Sequence, residues 1–213
     1  MNERSNNMTF LESHQLMKED SILYDNIKKI ISTKREVLGG GEFLLKESQQ
    51  IILVEKGMLV EEIERKNITN YCRIFTDKQL IYNTNGIIVL RAFEDTTYSV
   101  IPADALFDQL EEQNLLSNLF LQLQEDLEKE RDKELKLQLC SVGERVELLL
   151  QFLIQNYQLN PVNNPTFPSW LNIKTLAGFV NSSVVITSKR VKELADKEQI
   201  DMKSAYWRLL QSF

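Results

Sequence analysis

The sequence has few of the residues from which catalytic and metal sites are usually built. Its 213 residues include one histidine, His14, in a segment that we expect to be disordered. A metal site with two histidines is therefore excluded within one chain, and a histidine-based triad is not expected. The two cysteines, Cys72 and Cys140, are far apart and form no CxxC pair. We expect them to be small buried apolar residues rather than zinc ligands, disulfide partners or redox centres.

Glycine and proline are also scarce, with seven and four copies. The run Gly39–Gly41 in VLGGGEF has neither the P-loop spacing nor the dinucleotide-binding spacing, so it predicts a turn between strands. Adjacent acids such as Glu61 and Glu62 point to different sides of a strand and do not converge on one site. The sequence offers no catalytic constellation, and we do not expect an enzyme.

Long apolar runs are missing as well. None reaches 18 residues, and the polar start MNERSNNMTF lacks the apolar core of a signal peptide. We therefore expect a cytoplasmic protein with no membrane contact. The apolar content of 43% is enough for a buried core, and the net charge of -6 gives no overall attraction to nucleic acid.

The apolar pattern divides the chain into three expected domains, 1–102, 103–140 and 141–213. Between Ile22 and Ile101 the chain consists of short runs rich in Ile, Val, Tyr, Phe and Thr, separated by turn formers such as Gly57. Strands of this length and spacing predict a β-sandwich or β-barrel.

The second segment, from Ala103 to about Cys140, contains no glycine or proline and predicts one long helix. The leucines of its expected stripe are Leu106, Leu110, Leu116, Leu119, Leu123 and Leu127. A helix of ~35 residues is ~50 Å long, more than one small domain covers. We expect the stripe to bind the same helix of a second chain, which makes the protein a homodimer. Packing on its own β domain is the alternative.

The third segment differs from the rest in charge. From Ser141 onward eight basic residues stand against six acidic ones, so this segment carries +2 and the rest of the chain -8. Between Leu148 and Lys192 there is no acidic residue. A mildly basic end on an acidic protein is typical of a domain that meets phosphates while the remainder keeps the molecule soluble.

Two helices and a turn are predicted in NIKTLAGFVNSSVVITSKRVKELADKEQI. Leu176 and Val180 would face inward on the first helix, and Asn181 would form the turn because asparagine tolerates positive φ. Val191 and Leu194 would bury the inner side of the second helix. The residues predicted to contact DNA are Lys174, Ser182, Ser183, Val184, Val185, Ser188, Lys189 and Lys192. An ordinary helix pair shows the same periodicity, so the pattern alone leaves both interpretations open.

Hydroxyls and amines have separate roles in this prediction. Ser182 and Ser183 would cap the second helix, since a hydroxyl accepts a backbone N–H there, and the remaining free N–H groups suit a DNA phosphate. Lys189 and Lys192 would point outward toward a groove or its backbone.

These residues resemble the helix-turn-helix of the Crp/Fnr family of bacterial transcription regulators. The resemblance includes Leu176-Ala177, Asn181 at the turn and Ser182-Ser183 at the start of the recognition helix, and it extends to LVEKGMLVEEI in the first segment. It implies an α+β fold with three parts. The first part is an N-terminal β-roll, which is cupin-like and similar to cyclic-nucleotide-binding domains. The second is a long dimerisation helix, and the third is a C-terminal winged helix-turn-helix.

Two departures from the family pattern matter. Its common Arg-Glu pair, which reads base edges, is replaced by Val184 and Val185, which cannot make bidentate contacts to guanine. The segment KQLIYNTNGIIVLRAF lacks the Gly-Glu that holds a cyclic nucleotide and keeps only Arg91 and Ala92 of the later strand. We therefore expect no cyclic nucleotide, and the lack of N-terminal cysteines and the single His14 predict neither an iron–sulfur cluster nor haem.

The resemblance implies a homodimeric transcription regulator that binds double-stranded DNA in a sequence-specific way, with RNA polymerase as a further partner. A signal at the roll, such as a small-molecule effector that the sequence does not identify, would change the packing of the long helices and move the recognition helices. The competing hypothesis is a dimeric sensor that acts through a protein partner without specific DNA binding, which the valine pair favours.

Overall fold

The computed structural model describes residues 9–19, 22–30, 35–65, 68–203 and 206–211. Two helices come first, α1 (Phe10–Glu19) and α2 (Ile22–Ile30). The predicted start of the strands at Ile22 is wrong, because the segment ILYDNIKKI forms a helix that buries Leu23 and Ile27 in the core. The two side chains are four residues apart and share one helical face, and this spacing outweighs the strand preference of the isoleucines.

Within the described residues, the strands that follow are β1 (Glu36–Leu38), β2 (Phe43–Lys46), β3 (Gln50–Lys56), β4 (Leu59–Arg65), β5 (Ile68–Phe75), β6 (Leu80–Ile81), β7 (Ile88–Ala92) and β8 (Thr96–Pro102). They form two antiparallel sheets, in the orders β1-β8-β3-β6 and β2-β7-β4-β5. The sheets enclose an apolar core in which Ile52, Val54, Leu59 and Leu90 are fully buried. The predicted β-roll of short strands is confirmed.

Glycines form two turns of the roll. Gly57, between β3 and β4, has a φ of +103°, and its N–H donates to Asp77 Oδ1 at 2.8 Å. A Cβ at this position would lie 2.6 Å from Thr96 Oγ1, so only glycine fits without displacement. The run Gly39–Gly41 forms the predicted turn, which connects β1 to β2.

Two helices rather than one follow the roll, α3 (Ala103–Glu112) and α4 (Leu116–Leu139). The prediction of a single long helix is wrong because Asn114 adopts a left-handed conformation, with φ +57°, that an α-helix cannot contain. The Leu115 N–H donates to the Leu110 carbonyl at 2.8 Å, as in the Schellman motif that ends many helices. Asparagine here has the role that glycine has at most such ends.

The first half of the leucine stripe packs inside the same chain. Leu106, Leu110 and Leu119 are fully buried, in a cluster that includes Ile51 and Leu53 of β3. Burial removes these three leucines from an interface with a second chain, which corrects the prediction for them. The alternative, packing on the β domain of the same chain, is right for this part of the stripe.

The other members of the stripe keep more of their surface accessible. Leu116 and Leu123 are half-buried at the edge of the cluster, whereas Leu127 is 53% exposed. Further exposed apolar side chains of α4 are Phe120, Leu135 and Leu139. α4 therefore carries apolar surface that the described part of its own chain leaves partly exposed.

A buried polar cluster holds α1 against α4. His14 is 3% exposed, and its Nδ1 lies 3.3 Å from Nδ2 of the buried Asn118. Its Nε2 lies 3.6 Å from Glu125 Oε1, and Lys18 donates to the other oxygen of that carboxylate. The hydrogen bond raises the pKa of Lys18 and lowers the pKa of Glu125. The expectation of disorder around His14 is wrong, because α1 is anchored through this side chain.

The elements of the C-terminal unit are α5 (Val142–Asn156), a 3-10 turn (Pro161–Asn163), α6 (Ile173–Phe179), α7 (Val184–Asp196), β9 (Ile200–Asp201) and β10 (Arg208–Leu209). Its core includes Val146, Leu150 and Leu153 of α5. The antiparallel pair β9–β10 is the wing that follows the predicted helix-turn-helix. In the part of the chain that the structure describes, no helix is both long and apolar enough to span a bilayer.

Replacing Gly57 with alanine should lower the free energy of unfolding by roughly 2 kcal/mol or more, because steric overlap with Thr96 adds to backbone strain. Gly86→Ala is the matched control. Gly86 also has a positive φ, +74°, but no described atom lies within 4 Å of an added Cβ. Gly86→Ala should therefore lose only about 1 kcal/mol, from backbone strain without steric overlap. Urea unfolding followed by circular dichroism measures both variants. Equal losses would contradict the close approach at Gly57.

Candidate nucleic-acid interface

The first helix of the pair, α6, begins at a complete capping box. The side-chain oxygen of Asn172 accepts the N–H groups of Lys174 and Thr175 at 2.9 and 3.0 Å. In return, the Thr175 hydroxyl accepts the Asn172 N–H at 3.0 Å. The box fixes where α6 starts and leaves Lys174 exposed at its first turn.

The turn between the helices is formed by Asn181. Its φ is +47°, and the next N–H, that of Ser182, donates to the Ala177 carbonyl at 3.0 Å. This hydrogen bond closes the end of α6 in the same way as the end of α3. The predicted role of Asn181 is confirmed, and its conformation determines the direction in which α7 leaves the turn.

One serine caps α7. The Ser183 hydroxyl accepts the Ile186 N–H at 3.2 Å, and Ser183 has the extended backbone of an N-cap residue. The prediction that Ser182 also caps the helix is wrong, because Ser182 lies in the turn one residue earlier. The other N–H groups of the first turn extend from the positive end of the helix dipole, an arrangement that suits a phosphate.

Helix α7 has one buried face and one exposed face. Val191 and Leu194 pack in one cluster with Leu176 and Val180 of α6. The exposed side chains are Val184, Val185, Ile186, Lys189 and Lys192, and Ser188 is half-buried. The two helices therefore share one apolar core, which fixes the position of α7 relative to α6.

Ile186 belongs to the exposed face, although it is not among the residues predicted to contact DNA. It is 48% exposed, beside Val184 at 50% and Val185 at 80%. Its spacing of five residues from Val191 already places it off the buried face of a helix. Consecutive apolar side chains at the first turn make this end of α7 unusually apolar for a surface helix.

Arg190 of α7 forms a salt bridge, whereas Lys189 interacts with Glu193 only at longer range. Nη1 of Arg190 lies 2.8 Å from Glu193 Oε2, and this hydrogen bond lowers the pKa of Glu193. Among the described residues, no carboxylate forms a salt bridge with Lys189 or Lys192. Their charges therefore remain available to an external anion.

A cleft of about 1300 Å³ lies between the roll and the helix pair. Lys174, Ser182 and Val184 line it on the side of the helix pair. On the roll side, the lining carboxylates are Glu62, Glu94 and Asp95. Arg91 also lines the roll side and pairs with Glu62, so the start of α7 faces the carboxylates of Glu94 and Asp95 across this cleft.

Arg91 in the roll is already engaged by its own chain. It donates to Glu62 and, at 2.7 Å, to the Gly41 carbonyl, and its guanidinium carbon lies 5.7 Å from the centroid of the Phe43 ring. The hydrogen bond with Glu62 raises the pKa of Arg91. This pairing neutralises the charge that an anionic ligand would need.

A second, smaller cavity of about 360 Å³ lies between the roll and α4, and Arg73, Tyr82, Asn83, Leu123 and Leu127 are among its lining residues. Next to it, the fully buried Lys46 donates to Asn83, and burial lowers its pKa to about 8. Over the described ranges, no group of three or more His, Cys, Asp or Glu side chains is placed to hold a metal ion.

No protein-family model matches the sequence, and no curated protein matches it either. Solved structures do match. The c-di-GMP-responsive global regulator CLP of Xanthomonas campestris has a TM-score of 0.71 at 14% identity, over 89% of this chain and 99% of that one. A transcriptional regulator of the Crp/Fnr family from Eubacterium rectale has a TM-score of 0.68 at 14% identity, over 94% and 96%. A protein from Listeria monocytogenes that contains a cyclic-nucleotide-binding domain has a TM-score of 0.69 at 15% identity, over 90% and 98%.

These likenesses cover the roll, the connecting helices and the C-terminal unit together. The chain has the fold of the Crp/Fnr regulators, and the resemblance that the sequence indicates is confirmed for the fold. At 14 to 15% identity the likeness concerns the fold alone. Function has to be argued from the residues of the site.

Removing the cap of α7 should destabilise the C-terminal unit. Ser183→Ala loses the hydrogen bond to the Ile186 N–H, and we expect it to lower the free energy of unfolding by about 1 kcal/mol. Ser182→Ala, one residue outside the helix, is the control and should change it by less than about 0.5 kcal/mol. Urea unfolding of both variants is the measurement, and a larger loss for Ser182→Ala would contradict the assignment of the cap.

Proposed function

We propose that this chain is a transcription regulator that binds double-stranded DNA as a homodimer and in a sequence-specific way. The observation that carries the proposal is the outer face of α7, where Lys189 and Lys192 are exposed, with no salt bridge to a described carboxylate, beside a capped helix start. This face belongs to a winged helix-turn-helix with the fold of known regulators. A helix of this kind lies in the major groove, with its first residues nearest the bases.

Each group on α7 has a chemical role in such a complex. The free N–H groups at the helix start and the amine of Lys192 bind phosphates, which position the protein and supply most of the affinity. Lys189 reaches a base edge. Val184, Val185 and Ile186 contact thymine methyl groups and exclude bidentate readout of guanine at their positions. Recognition then depends on thymine-containing steps, on Ser188 and Lys189, and on DNA shape.

The second copy would bind along the exposed side of α4. Phe120 and Leu127 are one heptad apart, and Leu135 and Leu139 are one helical turn apart, so exposed apolar side chains recur along this side. Pairing two copies through it would present two recognition helices to half-sites one DNA turn apart, ~34 Å. The buried leucines of α3 and α4 support this arrangement indirectly, since they hold α4 in place on the roll.

The signal would enter at the roll. The cavity between the roll and α4 is lined by Leu123 and by Leu127, which also belongs to the proposed dimer contact, so a small molecule bound there would act on that contact directly. The pairing of Arg91 with Glu62 supports the expectation that the ligand is not a cyclic nucleotide. RNA polymerase is the protein partner that a regulator at a promoter would meet.

The competing function is a dimeric sensor that acts on a protein partner without specific DNA binding. The observation in its favour is the exposed apolar turn formed by Val184, Val185 and Ile186. Such a turn also suits a protein groove. Selection of bound fragments from genomic DNA separates the two functions, because a sensor of this kind enriches no sequence.

A charged substitution on the exposed apolar surface of α4 should convert the proposed dimer to monomers. Leu127→Glu places a carboxylate at a position that is 53% exposed in one chain and buried in the proposed dimer. Leu127→Met keeps the apolar volume and serves as the matched control, which should remain dimeric. Sedimentation equilibrium reports the mass of each variant. A dimer of unchanged strength in Leu127→Glu would place the interface elsewhere.

The two lysines of α7 should behave differently in gel shifts across a salt series. Lys192→Ala removes a phosphate contact, so affinity should fall alike for all sequences and the slope of log K against log salt should decrease by about 1. Lys189→Ala should also relax the preference for one base in each half-site, at a cost of ~1 to 3 kcal/mol if that base is guanine. Lys136→Ala, an exposed lysine of α4, controls for loss of charge alone. If the control weakens binding as much as either variant, α7 is not the reading helix.

A further inference from the structure

A seam of aromatic rings joins the roll to the helix pair within one chain. Tyr71 of β5 and Phe93, the residue after β7, belong to the roll, whereas Trp170 and Phe179 belong to the C-terminal unit. The ring centroids of Tyr71 and Phe179 are 4.7 Å apart, and those of Phe93 and Trp170 are 4.8 Å apart. Aromatic pairs at these distances attract each other beyond the effect of their buried area.

The close fit of the seam depends on a glycine. Gly178 is buried on α6, and a Cβ there would lie 2.8 Å from Cε2 of Tyr71 and 3.1 Å from the Thr69 carbonyl oxygen. Its backbone is helical, so glycine is required for the approach of β5 and not for a turn. With any other residue, the Tyr71 ring or α6 would have to shift, so the present contact would not persist unchanged.

A directed hydrogen bond lies beside the rings. The hydroxyl of Tyr157, at the end of α5, donates to Glu94 Oε2 at 2.9 Å. Burial raises the pKa of Tyr157, and the negative charge of Glu94 raises it further. The tyrosine therefore stays protonated as a donor throughout the physiological range and fixes α5 to the roll.

The seam controls where the recognition helix lies. Because α6 and α7 share a core, α7 is held wherever Phe179 and Gly178 hold α6. In this position Lys174 and Val184 line the same cleft as Glu94 and the other roll carboxylates. DNA phosphates that approach this end of α7 would meet negative charge and the wall of the roll.

We propose that the aromatic seam is an autoinhibitory latch. It holds the helix pair against the roll and prevents the first turn of α7 from fully entering the DNA groove. This inference rests on the proposed function and adds its regulation within a single chain. A signal that moves β5 separates Tyr71 from Gly178 and frees α6 and α7 together. β5 is well placed for this, since its residue Arg73 lines the cavity between the roll and α4.

The test is Gly178→Ala in the full chain, which forces the seam apart while alanine favours the helix more than glycine does. Two readouts are needed. Trp170, which packs against Phe93, should become more accessible, with red-shifted emission and stronger acrylamide quenching, over a constant background from the buried Trp207. Affinity for a selected DNA fragment should rise about tenfold, within the usual range of coupling between sites.

Gly143→Ala is the matched control. It also replaces a helical glycine, but its Cβ would lie 3.6 Å from the Arg190 side chain, an ordinary contact, so neither readout should change. Tyr157→Phe removes only the hydroxyl that binds Glu94 and should raise affinity by a smaller factor, which keeps the test valid if Gly178→Ala folds poorly.

The outcomes separate the latch from the function on which it rests. An exposed Trp170 without a gain in affinity, while wild type binds DNA, would overturn the latch alone. An unchanged Trp170 in Gly178→Ala would show that the seam does not depend on this glycine and would overturn the latch as well. If neither wild type nor any variant prefers a DNA sequence, the proposed function fails and the latch with it.

Discussion

The burial of Leu106, Leu110 and Leu119 against β3 makes the first part of the helical connection a component of the roll. Each fully buried leucine contributes about 2 kcal/mol relative to an exposed one, so separating the connection from the roll would cost a large share of the stability of a domain this size. The remaining length of α4 therefore follows any movement of the roll. The contact of α1 through His14 and Asn118 adds a second attachment on the same helix.

The C-terminal unit is attached to the roll in two ways, through the chain that leaves α4 and through direct side-chain contact. The covalent route sets the distance between the two units. The contact of Phe179 with Tyr71, with that of Trp170 with Phe93, sets the orientation. In the proposed latch the contact is either made or broken, and two such arrangements are what a regulatory signal can act on.

The features that could be predicted from the sequence are those set by single residues or by a short local pattern. The turn at Asn181 and the cap at Ser183 depend on the conformational preferences of single residues, so both can be predicted from the sequence alone. Asn114 has the same preference, but it stands between Gln113 and Leu115 in a run with helical periodicity, which does not indicate its left-handed conformation. The surface that packs against the leucine stripe could not be predicted either, because periodicity identifies a buried face without showing which part of the protein covers it.

Contacts between distant parts of the chain could not be inferred at all. Tyr71 and Phe179 are more than 100 positions apart, and without side-chain coordinates they look like separate core residues. The glycine between them carries information beyond this chain. In a relative that keeps an aromatic ring at the position of Tyr71, a side chain larger than hydrogen at the position of Gly178 cannot be accommodated in the same docked arrangement. Glycine at that helical position is therefore compatible with this docking in a homologous chain, whereas a larger residue requires the ring or the helix to shift.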